Sequence, residues 1–213
     1  MTAANDTRAP QRPPRRTQEE RSAATRARVI AAATACIAER GFKDATMSAI
    51  AARAGVTWGA MQHQFGGKEA ILDAVLEGCL AGLEAWMAEL RGRQPDDVRR
   101  RVGAFVGEAG EWLRGPSYLA FIEIQLHRSR LEARDEASEL IWSERVAGLL
   151  DRAWKSCFED CGVPPRELRR AQRFSFMLLS GIAVEAALFP DADHSAQHLA
   201  LLEANLIELL RPA

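Results

Sequence analysis

The sequence predicts an all-α chain made of an N-terminal three-helix helix-turn-helix part and a larger helical body. Three observations carry that expectation. Small and apolar residues recur at helical spacing along most of the 213 residues. Neither an alternating strand pattern nor a tandem repeat interrupts them. Residues 41–72 read as a short helix, a glycine turn, a second short helix and the start of a long one.

In chain order, residues 1–21 carry Pro10, Pro13 and Pro14 among Arg8, Arg12, Arg15 and Arg16, with almost nothing apolar. This composition predicts a disordered basic arm, either adding phosphate contacts or simply solvated. A first helix is expected over 22–40, with Ser22 as its cap, Ile30, Ala33 and Ile37 as its inner stripe, and Gly41 as its stop. In the next helix Met47, Ile50, Ala51 and Ala54 share one face, after Thr46 as N-cap and before Gly55 as the turn. Thr57 is placed to cap a helix over 57–65, with Met61 and Phe65 on its inner face. In a helix-turn-helix this second short helix is the one that enters a DNA major groove. A long helix follows over 68–91, with Ile71, Leu72, Val75, Leu76, Leu83 and Trp86 in register, and it ends in the body. Further helices are expected over 95–114, 117–131, 133–160, 165–189 and 193–210, separated at Gly115-Pro116, at Gly162 to Pro165 and at Pro190-Asp191.

The run Gly41-Phe42, Thr46, Ile50-Ala51, Ala54-Gly55-Val56-Thr57, Gly59, Phe65 and Lys68-Glu69 resembles the DNA-binding domain of TetR-type transcriptional regulators. The detailed match runs from near Arg26 to Ala74. The resemblance implies an N-terminal DNA-binding domain over 22–70 and an effector-binding and dimerisation domain over 71–213. Carried over residue by residue, it implies DNA contacts at Thr46, Met47, Trp58, Gly59, Ala60, Gln62, His63, Gln64 and Lys68. The residues themselves suggest a division of labour. Trp58, Ala60, Gln62 and His63 point away from the Met61/Phe65 face, where Gln can pair with adenine and an apolar group can touch a thymine methyl. Thr46, Thr57, Gln64 and Lys68 are better placed for phosphates. Gln62 stands where the family usually has Tyr, and Gly67 where it often has Ser or Asn.

The formal net charge of −1 conceals a split. Residues 1–68 hold 11 Lys/Arg against 5 Asp/Glu, whereas residues 69–213 hold 17 against 24. A basic end on an acidic body suits phosphate binding at one end only. No apolar run approaches the roughly 18 residues of a membrane span, and no apolar stretch near the N-terminus resembles a secretory signal, so a cytoplasmic location is expected. Cys36, Cys79, Cys157 and Cys161 lack CxxC spacing and suit free thiols, although Cys157 and Cys161 lie one helical turn apart, as a redox pair would. No HExxH, GxSxG, phosphate-loop or dinucleotide motif occurs, and an enzyme is the least favoured class. His194 and His198 are also one turn apart, but two histidines are too few for a zinc site, and neither a metal nor a cofactor is expected.

The body is rich in aromatic residues. Trp86, Phe105, Trp112, Tyr118, Phe121 and Phe176, with the polar Gln125 and His127, form the candidate lining of a pocket for an apolar or aromatic small molecule. The run from Phe174 to Phe189 is apolar nearly all round, and the last helix is almost as broad. The economical explanation is a two-fold interface in which both helices meet their copies, through Phe174, Met177, Leu178, Gly181, Ile182, Glu185, Leu199, Leu202 and Leu206. Glu185 inside that run must be paired across the interface or face a pocket. The resulting expectation is a homodimeric, ligand-responsive regulator, a repressor by resemblance, that reads a pseudo-palindromic operator of double-stranded DNA. The alternative is a helical ligand- or partner-binding module with weak, sequence-indifferent DNA binding.

Overall fold

A computed structural model describes residues 17–92, 97–130, 136–189 and 194–211, with all their side chains except those of 91–92 and 136–143. The expected basic arm before Thr17 and the breaks at Pro95 and Pro190-Asp191 lie outside the described residues. The described chain is helical: α1 (Gln18–Asp44), α2 (Met47–Ala54), α3 (Trp58–Phe65), α4 (Lys68–Gly92), α5 (Val98–Leu113), α6 (Pro116–Arg128), α7 (Glu136–Phe158), α8 (Pro165–Leu188) and α9 (Ser195–Leu209).

Capping chemistry sets the N-terminal elements. α1 begins four residues before the expected start at Ser22. Thr17 Oγ1 accepts from the Glu20 N–H at 3.1 Å, and the Thr17 N–H donates to Glu20 Oε2 at 2.8 Å, a reciprocal capping box. Gly41, expected to end this helix, instead bends it: its φ of 77° breaks the helical path before a last turn to Asp44. Thr46 and Thr57 act as the expected caps, accepting from the N–H groups of Ala49 and Ala60 at 3.2 and 3.1 Å. Gly55 ends α2 at φ 63°, ψ 40°, the left-handed region that an L-residue enters only at a cost.

The helix-turn-helix core draws on five helices. Val29, Ala33 and Ile37 of α1 meet Ile50 of α2, Met61 and Phe65 of α3, and Ile71, Leu72 and Val75 of α4. Ala120 and Ile124 of α6 complete it. Burying a side chain such as Met61 or Phe65 contributes about 1.5–3 kcal/mol, enough to hold an eight-residue helix that would not be stable alone. α1 packs more extensively on α6 than on any other helix, so the small domain is seated on the body through that pair.

A second core joins α5, α7, α8 and α9 around Phe105, Trp154, Phe158, Leu179, Leu202 and Leu206. Phe105 touches Trp154 and Phe158 edge-on, with ring centroids 5.4 and 5.5 Å apart. A third cluster links α4 to α7 through Leu80, Leu83, Met87, Leu149 and Ala153. The Glu77–Arg145 ion pair lies between the same two helices at 2.8 Å and holds the Glu77 carboxyl below its usual range, chiefly by hydrogen bonding.

Gly55→Ala tests the turn. An added Cβ meets nothing closer than Arg28 Nη1 at 4.0 Å, so the cost is conformational rather than steric. The expected loss is about 1–2 kcal/mol in urea unfolding, with the helical circular-dichroism signal preserved.

Candidate nucleic-acid interface and effector cavity

α3 turns Met61 and Phe65 inward and leaves Trp58, Gly59, Ala60 and His63 exposed. Trp58 is 57 % exposed at the first position of the helix, a large aromatic surface with no core role. The other expected contact residues are partly engaged. The hydroxyls of Thr46 and Thr57 serve as caps, and Met47 packs against the domain core. Gln62 Nε2 donates to the Gly66 carbonyl at the end of its own helix. Gln64 is tied to α1, its Nε2 donating to the Ser22 carbonyl and hydroxyl at 3.3 and 3.2 Å. Lys68 lies at the start of α4 with Nζ 4.1 Å from the centre of the Phe42 ring.

Phe42 is the centre of a clasp between this domain and the body. Its N–H donates to Glu123 Oε2 of α6 at 3.2 Å. Its ring stacks on His127, also of α6, with centroids 3.7 Å apart and planes at 17°. One helical step on, Arg128 reaches α4 and bonds Asp73 Oδ1 at 2.7 Å, with Glu69 at 3.5 Å. The end of α6 thus holds the end of α1 and the start of α4 together.

The other end of α6 borders a cavity of about 230 Å³. α6 contributes Tyr118 and Phe121; α4 contributes Cys79, Leu80 and Leu83. Trp112 and Leu113 of α5, Val146 and Leu150 of α7, and Phe176 and Ser180 of α8 complete the described wall. Tyr118 Oη donates to Ser180 Oγ at 2.9 Å, joining α6 to α8. Burial pushes the Tyr118 phenol up, against a smaller opposing effect of that bond, and pushes the Cys79 thiol up to about 12. The Cys79 thiol donates to the Ser117 carbonyl at 3.0 Å.

Of the residues expected to line a pocket, Trp112, Tyr118, Phe121 and Phe176 meet at this cavity. Phe105 lies in the core beneath it, 6.1 Å from the Phe176 ring, and is fully buried. Trp86 stacks on Trp112 at 6.2 Å and borders a separate, open depression with Glu108 and Glu111. His127 belongs to the clasp, and Gln125, on the same end of α6, does not border the cavity. Cys79, Leu80, Leu83, Val146, Leu150 and Ser180 were not marked out by the sequence, because nothing separates a pocket-lining aliphatic residue from a core one in a periodic pattern.

Along α8, Phe174, Met177, Gly181, Val184 and Leu188 form an exposed stripe, and Leu201 of α9 is exposed with them. Ile182, Leu202 and Leu206, expected at a partner surface, turn instead into the core of their own chain at 3 % exposure or less. Leu178 and Leu199 are half-buried against that core. Glu185 meets His198 Nδ1 of α9 at 3.1 Å, a partner within the chain rather than across an interface or in a cavity. Cys157 and Cys161 are buried, and burial raises the Cys161 thiol, the opposite of what a reactive thiolate requires.

Comparison with known proteins fits this geometry. The family description "Bacterial regulatory proteins, tetR family" matches residues 29–75, from α1 into α4. The HTH-type transcriptional regulator BetI of Burkholderia thailandensis is 35 % identical over 168 residues, covering 76 % of this chain and 82 % of that protein. The chain belongs to the TetR family of bacterial regulatory proteins. HTH-type transcriptional regulator BetI 2 of Chromohalobacter salexigens is 28 % identical over 193 residues, covering 87 % and 88 % of the two chains. The crystal structure of a TetR-family transcriptional regulator from Streptomyces coelicolor shares the fold with a TM-score of 0.69 at 20 % identity, covering 88 % of this chain and 95 % of that one. The TetR-family chain described here is accordingly a DNA-binding transcriptional regulator and not an enzyme. Regulators of the family bind operators as dimers and respond to small molecules. No helix among the described residues is long and apolar enough to cross a membrane.

The clasp gives a direct test. Glu123→Ala leaves the Phe42 N–H without its partner, and the expected cost is about 1–2 kcal/mol in urea unfolding. Glu123→Gln keeps an acceptor oxygen and is expected to recover most of that loss.

Proposed function

We propose that this regulator reads a pseudo-palindromic operator with α3 of each subunit, as a cytoplasmic homodimer paired through α8 and α9, and that a small molecule in the α4–α8 cavity changes its DNA affinity. The observation that carries the reading is the exposed edge of α3, where Trp58, Gly59, Ala60 and His63 stand clear of a helix fixed from behind by Met61 and Phe65. Trp58 and Ala60 supply apolar surface for thymine methyl groups, His63 supplies ring nitrogens for base edges or phosphates, and Gly59 lets the backbone approach closely. Thr46, Met47, Thr57, Gln62, Gln64 and Lys68 support the docking through caps, packing and the helix N-termini rather than through base contacts. The acidic body stays off the DNA.

The exposed stripe of α8 supports the pairing. Met177 is 76 % exposed and Leu188 65 %, an arrangement that water disfavours and a second copy would cover. Two α3 helices would then meet half-sites about one helical turn, roughly 34–36 Å, apart.

Coupling follows from the shared helices. α6 touches the cavity with Tyr118 and Phe121 and the clasp with Glu123 and His127. α4 touches the cavity with Cys79, Leu80 and Leu83 and begins inside the DNA-binding core. A ligand that fits one setting of these two helices better than another shifts the spacing of the α3 pair and hence DNA affinity.

Selection of genomic fragments by the purified protein at about 0.15 M salt, where non-specific phosphate binding is weak, tests the reading. A recurrent inverted repeat is expected; diffuse, salt-labile binding alone would refute it. Trp58→Ala is expected to lose about tenfold to a hundredfold in affinity for that repeat, while stability changes by no more than about 0.5 kcal/mol. Met177→Glu is expected to convert the dimer to a monomer in light scattering without loss of helical signal.

A further inference from the structure

The cavity's composition narrows what it can hold. Building on the proposal that this cavity is the effector site, we infer that its ligand is a neutral, ring-sized molecule carrying one oxygen that joins the Tyr118–Ser180 hydrogen bond.

Charge comes first. None of the described lining residues is ionised at neutral pH: they are aliphatic and aromatic side chains, one thiol, one phenol and one hydroxyl. Burial holds both the Cys79 thiol, at about 12, and the Tyr118 phenol in their neutral forms. A carboxylate or ammonium entering this space would give up its hydration and find no opposite charge on the described wall.

Size comes second. About 230 Å³ is half as large again as an apolar protein cavity of about 150 Å³ known to hold benzene. The space suits one fused bicycle or one substituted ring.

Polarity comes third. The Cys79 thiol is spent on the Ser117 carbonyl. Tyr118 Oη donates to Ser180 Oγ at 2.9 Å, and two hydroxyls that share one hydrogen bond leave one proton for a further acceptor. A hydroxyl oxygen on a ligand can take that proton and so complete the pair. An apolar pocket with one polar pair at its edge fixes the orientation of its ligand by that pair. Tyr118 and Ser180 sit on different helices, so a ligand oxygen placed between them also bears on how α6 meets α8.

The test titrates the full chain with naphthalene, naphthol and naphthoate, following tryptophan fluorescence, since Trp112 is in the wall. Naphthol is expected to bind about threefold to tenfold more tightly than naphthalene, the ordinary worth of one hydrogen bond. Naphthoate is expected to bind at least tenfold more weakly than naphthol. Tyr118→Phe and Ser180→Ala, both conservative, are expected to remove the advantage of naphthol while leaving naphthalene unchanged. Leu83→Trp, which fills the cavity, is expected to abolish binding of both. Naphthoate binding as tightly as naphthol, or a naphthol advantage that survives both conservative variants, would overturn the ligand class and leave the cavity as the effector site. Failure of all three compounds to bind, or binding indifferent to Leu83→Trp, would overturn the effector cavity itself.

Discussion

The arrangement of this chain depends on the ring and N–H of one residue, Phe42. A glycine with φ of 77° bends α1 just before it and carries its backbone N–H onto the Glu123 carboxylate. The same turn presents its ring to His127 on one side and Lys68 on the other. A carboxylate hydrogen bond, a ring stack and a cation–π contact thus converge from α6 and α4 on the last turn of α1. Each is worth about 1–2 kcal/mol or less, and they add to the α1–α6 packing that seats the small domain on the body. Removing the bend would move the Phe42 N–H away from Glu123, and the three contacts would not form together.

That constraint links α4 and α6. α4 alone, as the element common to both parts, would be a simple lever. In the structure it shares the task with α6, whose Ala120 and Ile124 lie in the DNA-binding core, whose Tyr118 and Phe121 border the cavity, and whose Arg128 grips Asp73 of α4. In the proposed response, a displacement at the cavity would reach α1 and α4 along α6, because packed interfaces of this kind switch between discrete settings rather than flexing smoothly.

Much of the fold was legible in the sequence, for reasons that are local. Thr46, Gly55 and Thr57 place caps and a turn around two short periodic stretches, and cap chemistry acts within four residues. The start of α1 was misplaced because residues 18–21 are polar and carry no apolar stripe; the signal was the Thr17-x-x-Glu20 capping box. The sites were legible only in part. The sequence pattern places His127 in a pocket and Phe42 in a motif, because their stacking joins residues 85 positions apart, which no periodicity reports. In the apolar run of α8 the pattern could not tell the inward Ile182 from the outward Met177, since a helix apolar on most faces carries little phase. From spacing and resemblance Gln62 reads as a base contact and Gln64 as a phosphate contact, but the Gly66 carbonyl and Ser22 of α1 occupy their amides.

The proposed coupling joins the cavity to the DNA-binding domain through the clasp. It is tested most directly by the hydrogen-exchange rate of the Phe42 amide, measured by NMR on the dimer with the cavity empty and then saturated by a bound ligand. A protected amide is expected in the free protein, with a several-fold change in its exchange on saturation, together with that of its neighbours at the end of α1. An unchanged Phe42 exchange rate with the ligand demonstrably bound in the cavity would contradict it.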